Sequence, residues 1–183
     1  MILIVISGLS CSGKSALAER ISAELKLPYF SKDMFNELMF DKIGCSDRQW
    51  SQKLGRAAYD ILYLIAEKLL AAGQSLILES NFKPEYDKPR FEKIIDKFPI
   101  KVVEVLCFAE GRILFERFKE RALSGKRHPG HVDHLCLEEQ EKILAKGRAE
   151  PLGLGEVIEV ETSDWQKVDN EEVLSRIGQI IGR

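Results

Sequence analysis

Gly8-Leu9-Ser10-Cys11-Ser12-Gly13-Lys14-Ser15 has the form G-x-x-x-x-G-K-S, the signature of a phosphate-binding loop, or P-loop. An apolar run, Met1 to Ile6, precedes it, and the helix formers Ala16 to Arg20 follow it. Strand, loop and helix are the context the motif requires. Gly8 and Gly13 let backbone N–H groups face a polyphosphate without side-chain interference. The helix N-terminus adds its dipole. Lys14 is placed to reach the outer phosphates and the Ser15 hydroxyl to ligate Mg²⁺. Ser10, Cys11 and Ser12 complete the expected nucleotide contacts.

Outward from this loop, the chain is ordinary. It has 183 residues, 45% hydrophobic and 31% charged, which fits one soluble domain over 1–183. The net charge of -2 gives no global bias toward nucleic acid. Cys11, Cys45, Cys107 and Cys136 are scattered without zinc spacing or a disulfide framework. The N-terminal apolar run is too short for a secretory leader and lacks a basic flank. No apolar stretch is long enough to span a membrane. A cytoplasmic protein is expected, as a monomer or homodimer.

Strand and helix patterns alternate. Strands are expected at 1–6, 27–31, 75–78, 102–108 and 156–161. Helices are expected after the P-loop, at 34–40, in a long segment capped by Ser46 and ended near Gly73, and at 112–123, 135–146 and 170–181. Residues 84–98 hold two prolines ahead of a short amphipathic helix, and 124–134 is a polar loop. The alternation predicts an α/β fold, a parallel sheet with helices on both faces. Ligands of such sheets bind beyond the carboxyl ends of the strands. That rule gathers the P-loop, Asp33, Glu79 and the loop after Phe108 on one rim.

Several side chains there carry possible chemistry. Asp33 suits a proton acceptor or Mg²⁺ orienter, and equally a helix N-cap. Glu79 ends an apolar run and suits Mg²⁺ or its water, or is a solvated strand end. Asn81 and Lys83 are substrate or phosphate contacts, or turn residues. Arg117 and Arg121 are four apart on one helix face, suited to a base and phosphates, or to pairing with Glu116 and Glu120. Arg127, in Gly125 to His131, is placed to close over a transferring group. His128 and His131 are substrate contacts or loop residues. His134 reads as structural.

The P-loop, Ser31-Lys32-Asp33, Arg117-Phe118-Lys119-Glu120-Arg121 and Lys126-Arg127-His128-Pro129-Gly130 together resemble a small P-loop kinase of the nucleoside monophosphate kinase-like group. Within it the chain is most similar to the set holding chloramphenicol phosphotransferase, polynucleotide kinase-type domains, gluconate kinase and zeta toxin-like proteins. The resemblance covers nearly the whole chain. It implies a three-layer P-loop NTPase fold with a five-stranded parallel sheet in the order 2-3-1-4-5 and a helical lid, here about 122–148. It implies ATP and Mg²⁺, with Ser15 and Glu79 at the metal. Asp33 becomes the candidate general base, while Lys14 and Arg127 become the transition-state stabilisers. Arg117 would pack on adenine and Arg121 would contact phosphates. Asp33, Asn81, Lys83 and His128 would meet the acceptor. Lys126 stands where the D-R-x-P-G lid element has Asp. The implied activity is ATP-dependent phosphorylation of a small-molecule hydroxyl. A polynucleotide 5′-hydroxyl kinase and a non-enzymatic ATP-binding regulatory module are the alternatives. Nucleic acid is the less expected partner, and no membrane association is expected.

Overall fold

The computed structural model describes residues 1–182. Five strands form one parallel sheet, β1 (Ile2–Gly8), β2 (Tyr29–Ser31), β3 (Leu76–Glu79), β4 (Lys101–Phe108) and β5 (Glu156–Glu161). Their order is β2-β3-β1-β4-β5, as the resemblance implies. The helices are α1 (Lys14–Leu25), α2 (Lys32–Ile43), α3 (Arg48–Ala71), α4 (Pro84–Lys97), α5 (Gly111–Leu123), α6 (Leu137–Leu144) and α7 (Asn170–Ile181).

Both sheet faces are covered. Side chains alternate across a strand, so Ile4 and Ile6 of β1 face α1 and α7, packing with Leu17, Ile21 and Ile177. Leu3 and Val5 face the other way, against Leu62 and Leu70 of α3 and Phe91 of α4. A third, smaller cluster joins Leu114 and Phe118 of α5 to Leu144 of α6. Leu9 and Cys11 of the P-loop pack on it, so α5 and α6 are seated against that loop.

Local chemistry moves several boundaries. Lys26 takes a left-handed conformation that ends α1, and Pro28 follows, so β2 is only three residues long. Asp47, not Ser46, caps α3, accepting from Trp50 N. The two prolines do not precede a short helix but lie within a 14-residue one: Pro84 occupies its first turn, where no N–H is needed, and Pro89 lies inside. Segment 135–146 contracts to α6 because Val132 is left-handed and residues 129–135 form two single 3-10 turns. Glu104 interrupts the apolar reading of β4. Its buried carboxylate accepts from Leu152 N at 2.6 Å and Gly153 N at 3.0 Å, pinning the approach to β5.

The strand order places β1 between β3 and β4, with the chain turning to opposite sides. The P-loop therefore leaves the sheet at its switch point. Ile6 and Ser31 both lie level with Glu79 in the register. The strand ends thus deliver the P-loop, Asp33 and Glu79 to one rim.

Candidate active site

The P-loop geometry depends on two glycines. Gly8 has φ +146, and a Cβ there would lie 2.2 Å from the Cys107 carbonyl oxygen. Gly13 has φ +77 and caps α1 without a side-chain hydrogen bond. A Cβ on Gly13 would lie 2.7 Å from the Trp165 ring. The first turn of α1 has no acidic residue, so its unpaired N–H groups and dipole are left for an anion. Thr162 Oγ1 donates to the Ser12 carbonyl oxygen at 3.1 Å, and Asn81 Nδ2 donates to Ser10 Oγ at 3.0 Å. These bonds hold the loop from both sides.

Lys14 is buried, and its Nζ donates to the Leu9 carbonyl oxygen across the loop at 2.8 Å. Burial pushes its pKa down, opposed chiefly by the nearby Glu79 charge. Ser15 Oγ and Tyr29 Oη both donate to Glu79 Oε2, at 3.0 and 3.1 Å. The hydroxyl and carboxylate expected at Mg²⁺ are thus in contact. A cradle of free helix amides, a buried lysine and a Ser–Glu oxygen pair fit a magnesium-bound triphosphate. Cys11 also lines this cavity, but burial pushes its thiol up despite nearby Arg121 and Lys14.

Asp33 occupies the first turn of α2, but Ser31 is the N-cap, accepting from Met34 N at 3.2 Å. The capping alternative for Asp33 is thereby filled by a neighbour, and its carboxylate is free to reach the cavity. Asp33 Oδ1 accepts from Lys32 Nζ at 2.9 Å and Oδ2 from Arg127 Nη2 at 2.6 Å. Burial would raise the carboxyl's pKa, yet Lys32, Arg127 and His131 overrule it and hold it well below the ordinary range.

Residues 127–131, in the segment expected as a lid, are latched to α2 by a ladder. Asp33, Glu37 and Asp41 recur every four residues and share one helix face. Arg127 meets Asp33 and also Glu37 at 3.1 Å. His131 Nε2 lies 2.7 Å from Glu37, and His128 Nε2 lies 3.1 Å from Asp41. Gly130 N donates to His128 Nδ1, so the neutral ring carries its proton on Nε2 and donates to Asp41. Phe40 stacks on His128 at 5.3 Å. Across the cavity mouth, Arg48 of α3 pairs with Glu139 and donates to Cys136 Sγ at 2.8 Å.

The remaining expected residues fall as follows. Arg117 donates to the carbonyl oxygens of Thr162 and Ser163, at 2.8 and 2.9 Å. It thereby joins α5 to the loop after β5, beside Trp165. Arg121 pairs with Asp133 at 3.1 Å and lies over the Phe118 ring. Lys14, Ser15, Asp33, Arg117, Arg121 and Arg127 line one cavity of about 930 Å³, as do Glu79, Asn81 and Lys83. His131 lines it too. His128 lies outside that lining, turned to Asp41 and Phe40.

Sequence reading passed over Glu37, Tyr59, Arg56 and Asp133. The four-residue spacing of Asp33, Glu37 and Asp41 was a usable signal for the first. Tyr59 Oη accepts from Ser80 Oγ at 2.8 Å, a contact between α3 and the β3 end that no local pattern announces.

A family model described as an AAA domain matches residues 3–145. A presumed kinase from Chloroflexus aurantiacus J-10-fl is 36% identical, with 97% of each chain covered and a TM-score of 0.92. A gluconokinase from Sinorhizobium meliloti 1021 is 16% identical, covering 98% of this chain and 95% of its own, with a TM-score of 0.55. A sugar kinase from Janibacter sp. HTCC2649 is 18% identical, covering 100% and 95%, with a TM-score of 0.53. The last two likenesses concern the fold alone. No curated protein matches the chain.

Proposed function

Because the chain belongs to the AAA domain family, we propose that it is an ATP-dependent kinase that phosphorylates a hydroxyl of a small molecule. One observation carries this reading: a P-loop lysine and a charged carboxylate, Lys14 and Asp33, face a single cavity, with an arginine of the expected lid paired to the carboxylate. The 36% identical relative, described as a presumed kinase, supports it.

The chemistry follows from the residues. The α1 amides and Lys14 bind and orient the triphosphate. Mg²⁺, held by Ser15 and Glu79, would neutralise charge on the β- and γ-phosphates. The acceptor O–H points at Asp33. As the acceptor oxygen bonds to the γ-phosphorus, the bond from that phosphorus to the β–γ bridging oxygen breaks, and the hydroxyl proton passes to Asp33. Arg127 must release Asp33 for this. Its release removes one of the cations that hold the carboxylate's pKa down, leaving Lys32, and frees a guanidinium to face the transferring phosphoryl group. The lid excludes water, which otherwise competes as acceptor.

The test is ADP release measured with and without a panel of hydroxyl compounds. Turnover that depends on an added acceptor supports the proposal. Full-rate turnover without one refutes it, and unaltered ATP binding without any transfer would favour the regulatory module. No helix among the described residues is long and apolar enough to cross a membrane.

A further inference from the structure

The cavity is far more basic than the protein. Eight cationic side chains and three carboxylates line it, in a chain whose net charge is -2. A magnesium-neutralised triphosphate offsets only part of that excess. Lys14, Arg117, Arg121 and Arg127 belong to the P-loop and lid side. Lys32, Arg48, Arg56 and Lys83 come instead from α2, α3 and the segment leading into α4.

One face of α3 supplies a large part of this lining. Arg48, Ser51, Gln52, Gly55, Arg56 and Tyr59 all line the cavity, and their spacing is that of a single helical stripe. The stripe holds no aliphatic side chain, whereas Leu54, Ala58 and Leu62 on the other side are buried. Arg48 and Lys32 are committed to Glu139 and Asp33. Arg56 and Lys83 have no carboxylate partner among the described residues, and both are exposed to the cavity.

Gly55 is an independent sign. Glycine weakens a helix interior relative to alanine. Packing does not demand it, because a Cβ there would meet only the end of the Lys32 side chain, Cε at 3.8 Å and Nζ at 4.0 Å, ordinary contacts. The missing side chain opens the wall between the cationic groups, next to Arg56.

We infer that the acceptor is a small hydroxyl compound carrying an anionic group, a carboxylate or a phosphate ester, which docks between Arg56 of the α3 stripe and Lys83 at the start of α4 with its hydroxyl toward Asp33. Guanidinium and ammonium groups bind both kinds of anion through charge-assisted hydrogen bonds. This inference rests on the kinase reading for the direction of the hydroxyl, but the anion site stands on its own residues.

The experiment has a binding arm and a turnover arm. Protein loaded with magnesium and a non-hydrolysable ATP analogue is titrated calorimetrically with sugar acids, with sugar monophosphates and with neutral polyols of matched size. The same compounds, and a 5′-hydroxyl oligonucleotide, are assayed with ATP for ADP release. Binding by the sugar acids or by the sugar monophosphates, without binding by the neutral set, supports the site and tells carboxylate from phosphate. Arg56→Gln and Lys83→Gln should each weaken that anion roughly tenfold or more, with ATP-analogue binding changed less than twofold. Anion binding without turnover would uphold the site and refute the kinase reading. Turnover of a neutral compound or of the oligonucleotide alone would uphold a kinase and overturn the anion site. Absence of anion binding, or binding indifferent to both substitutions, also overturns it.

Discussion

Arg127 Nη2 lies 2.6 Å from Asp33 Oδ2, joining the segment expected as a lid to the end of β2 through the two side chains on which the proposed chemistry rests. Asp33 has Lys32 as well, and Arg127 has Glu37 and Asp133. In this arrangement the candidate base and the candidate phosphoryl clamp neutralise each other. The pair keeps a basic carboxylate and an empty lid from standing open to water.

Asp33→Asn should therefore separate binding from chemistry. The amide still accepts a hydrogen bond from Arg127 but takes no proton. ATP affinity is expected to change by less than about threefold, while phosphoryl transfer falls by roughly 10²–10⁴-fold. Calorimetry and ADP release measure the two. Transfer within tenfold of the parent would remove Asp33 from the reaction.

Arg127→Ala leaves Asp33, Glu37 and Asp133 facing each other without their shared cation. The pairs are partly solvated, so the loss of stability should be about 1–2 kcal/mol, less than for a fully buried pair. Arg127→Lys should recover little of it, because one ammonium lacks the fork that reaches three carboxylates. Urea unfolding of both variants checks this, and full rescue by lysine would contradict it.

The lid should respond to mild acid through His131. Burial lowers the pKa of this imidazole and the Arg127 charge adds to that, with Lys32 acting the same way, against Asp33 and the Glu37 hydrogen bond. The folded protein thus prefers the neutral ring. A histidine depressed on folding contributes most above its unfolded pKa of about 6.5, and that contribution is lost as pH falls through the folded value. Asp33, also depressed, contributes above about pH 4 and is lost only in stronger acid. Stability should decline from about pH 6.5 downward in the parent and less steeply in His131→Asn. Equal pH slopes in the two proteins would exclude His131 as the titrating group.

Gly13→Ala should damage nucleotide binding for two separable reasons. A Cβ meets the Trp165 ring at 2.7 Å and forces a side chain into φ +77. The expected loss of ATP affinity is roughly tenfold or more, from strain of about 1–2 kcal/mol plus the clash. Adding Trp165→Ala should relieve the clash but not the backbone strain, giving partial recovery. No recovery would mean that the ring yields without cost.

Much of this site was written in local patterns. The P-loop announced itself because every part of its function lies within eight consecutive residues. β5 and α7 have the expected bounds because apolar alternation and an Asp169 cap mark them locally. Asp33 and Arg127 were legible one at a time. Their pairing was not, because 94 positions separate them and nothing local encodes a meeting across the cavity. Glu104 was hidden within an apolar strand, since its partners are backbone N–H groups that any sequence possesses. The α3 stripe was partly hidden because its polar residues read as an ordinary solvated face until the lid stood opposite them.

The tether from Thr162 to the carbonyl of Ser12 spans 150 positions, and Arg117 grips the same loop after β5. A ribosome that has released the P-loop motif has therefore not yet released everything that holds the loop in place. The loop's second buttress, beside the Asn81 bond to Ser10, forms only when nearly the whole chain has emerged and β5 has docked on β4. A nascent or C-terminally shortened chain carries the full P-loop signature yet lacks the clasp from Thr162 and Arg117 on one side of that loop.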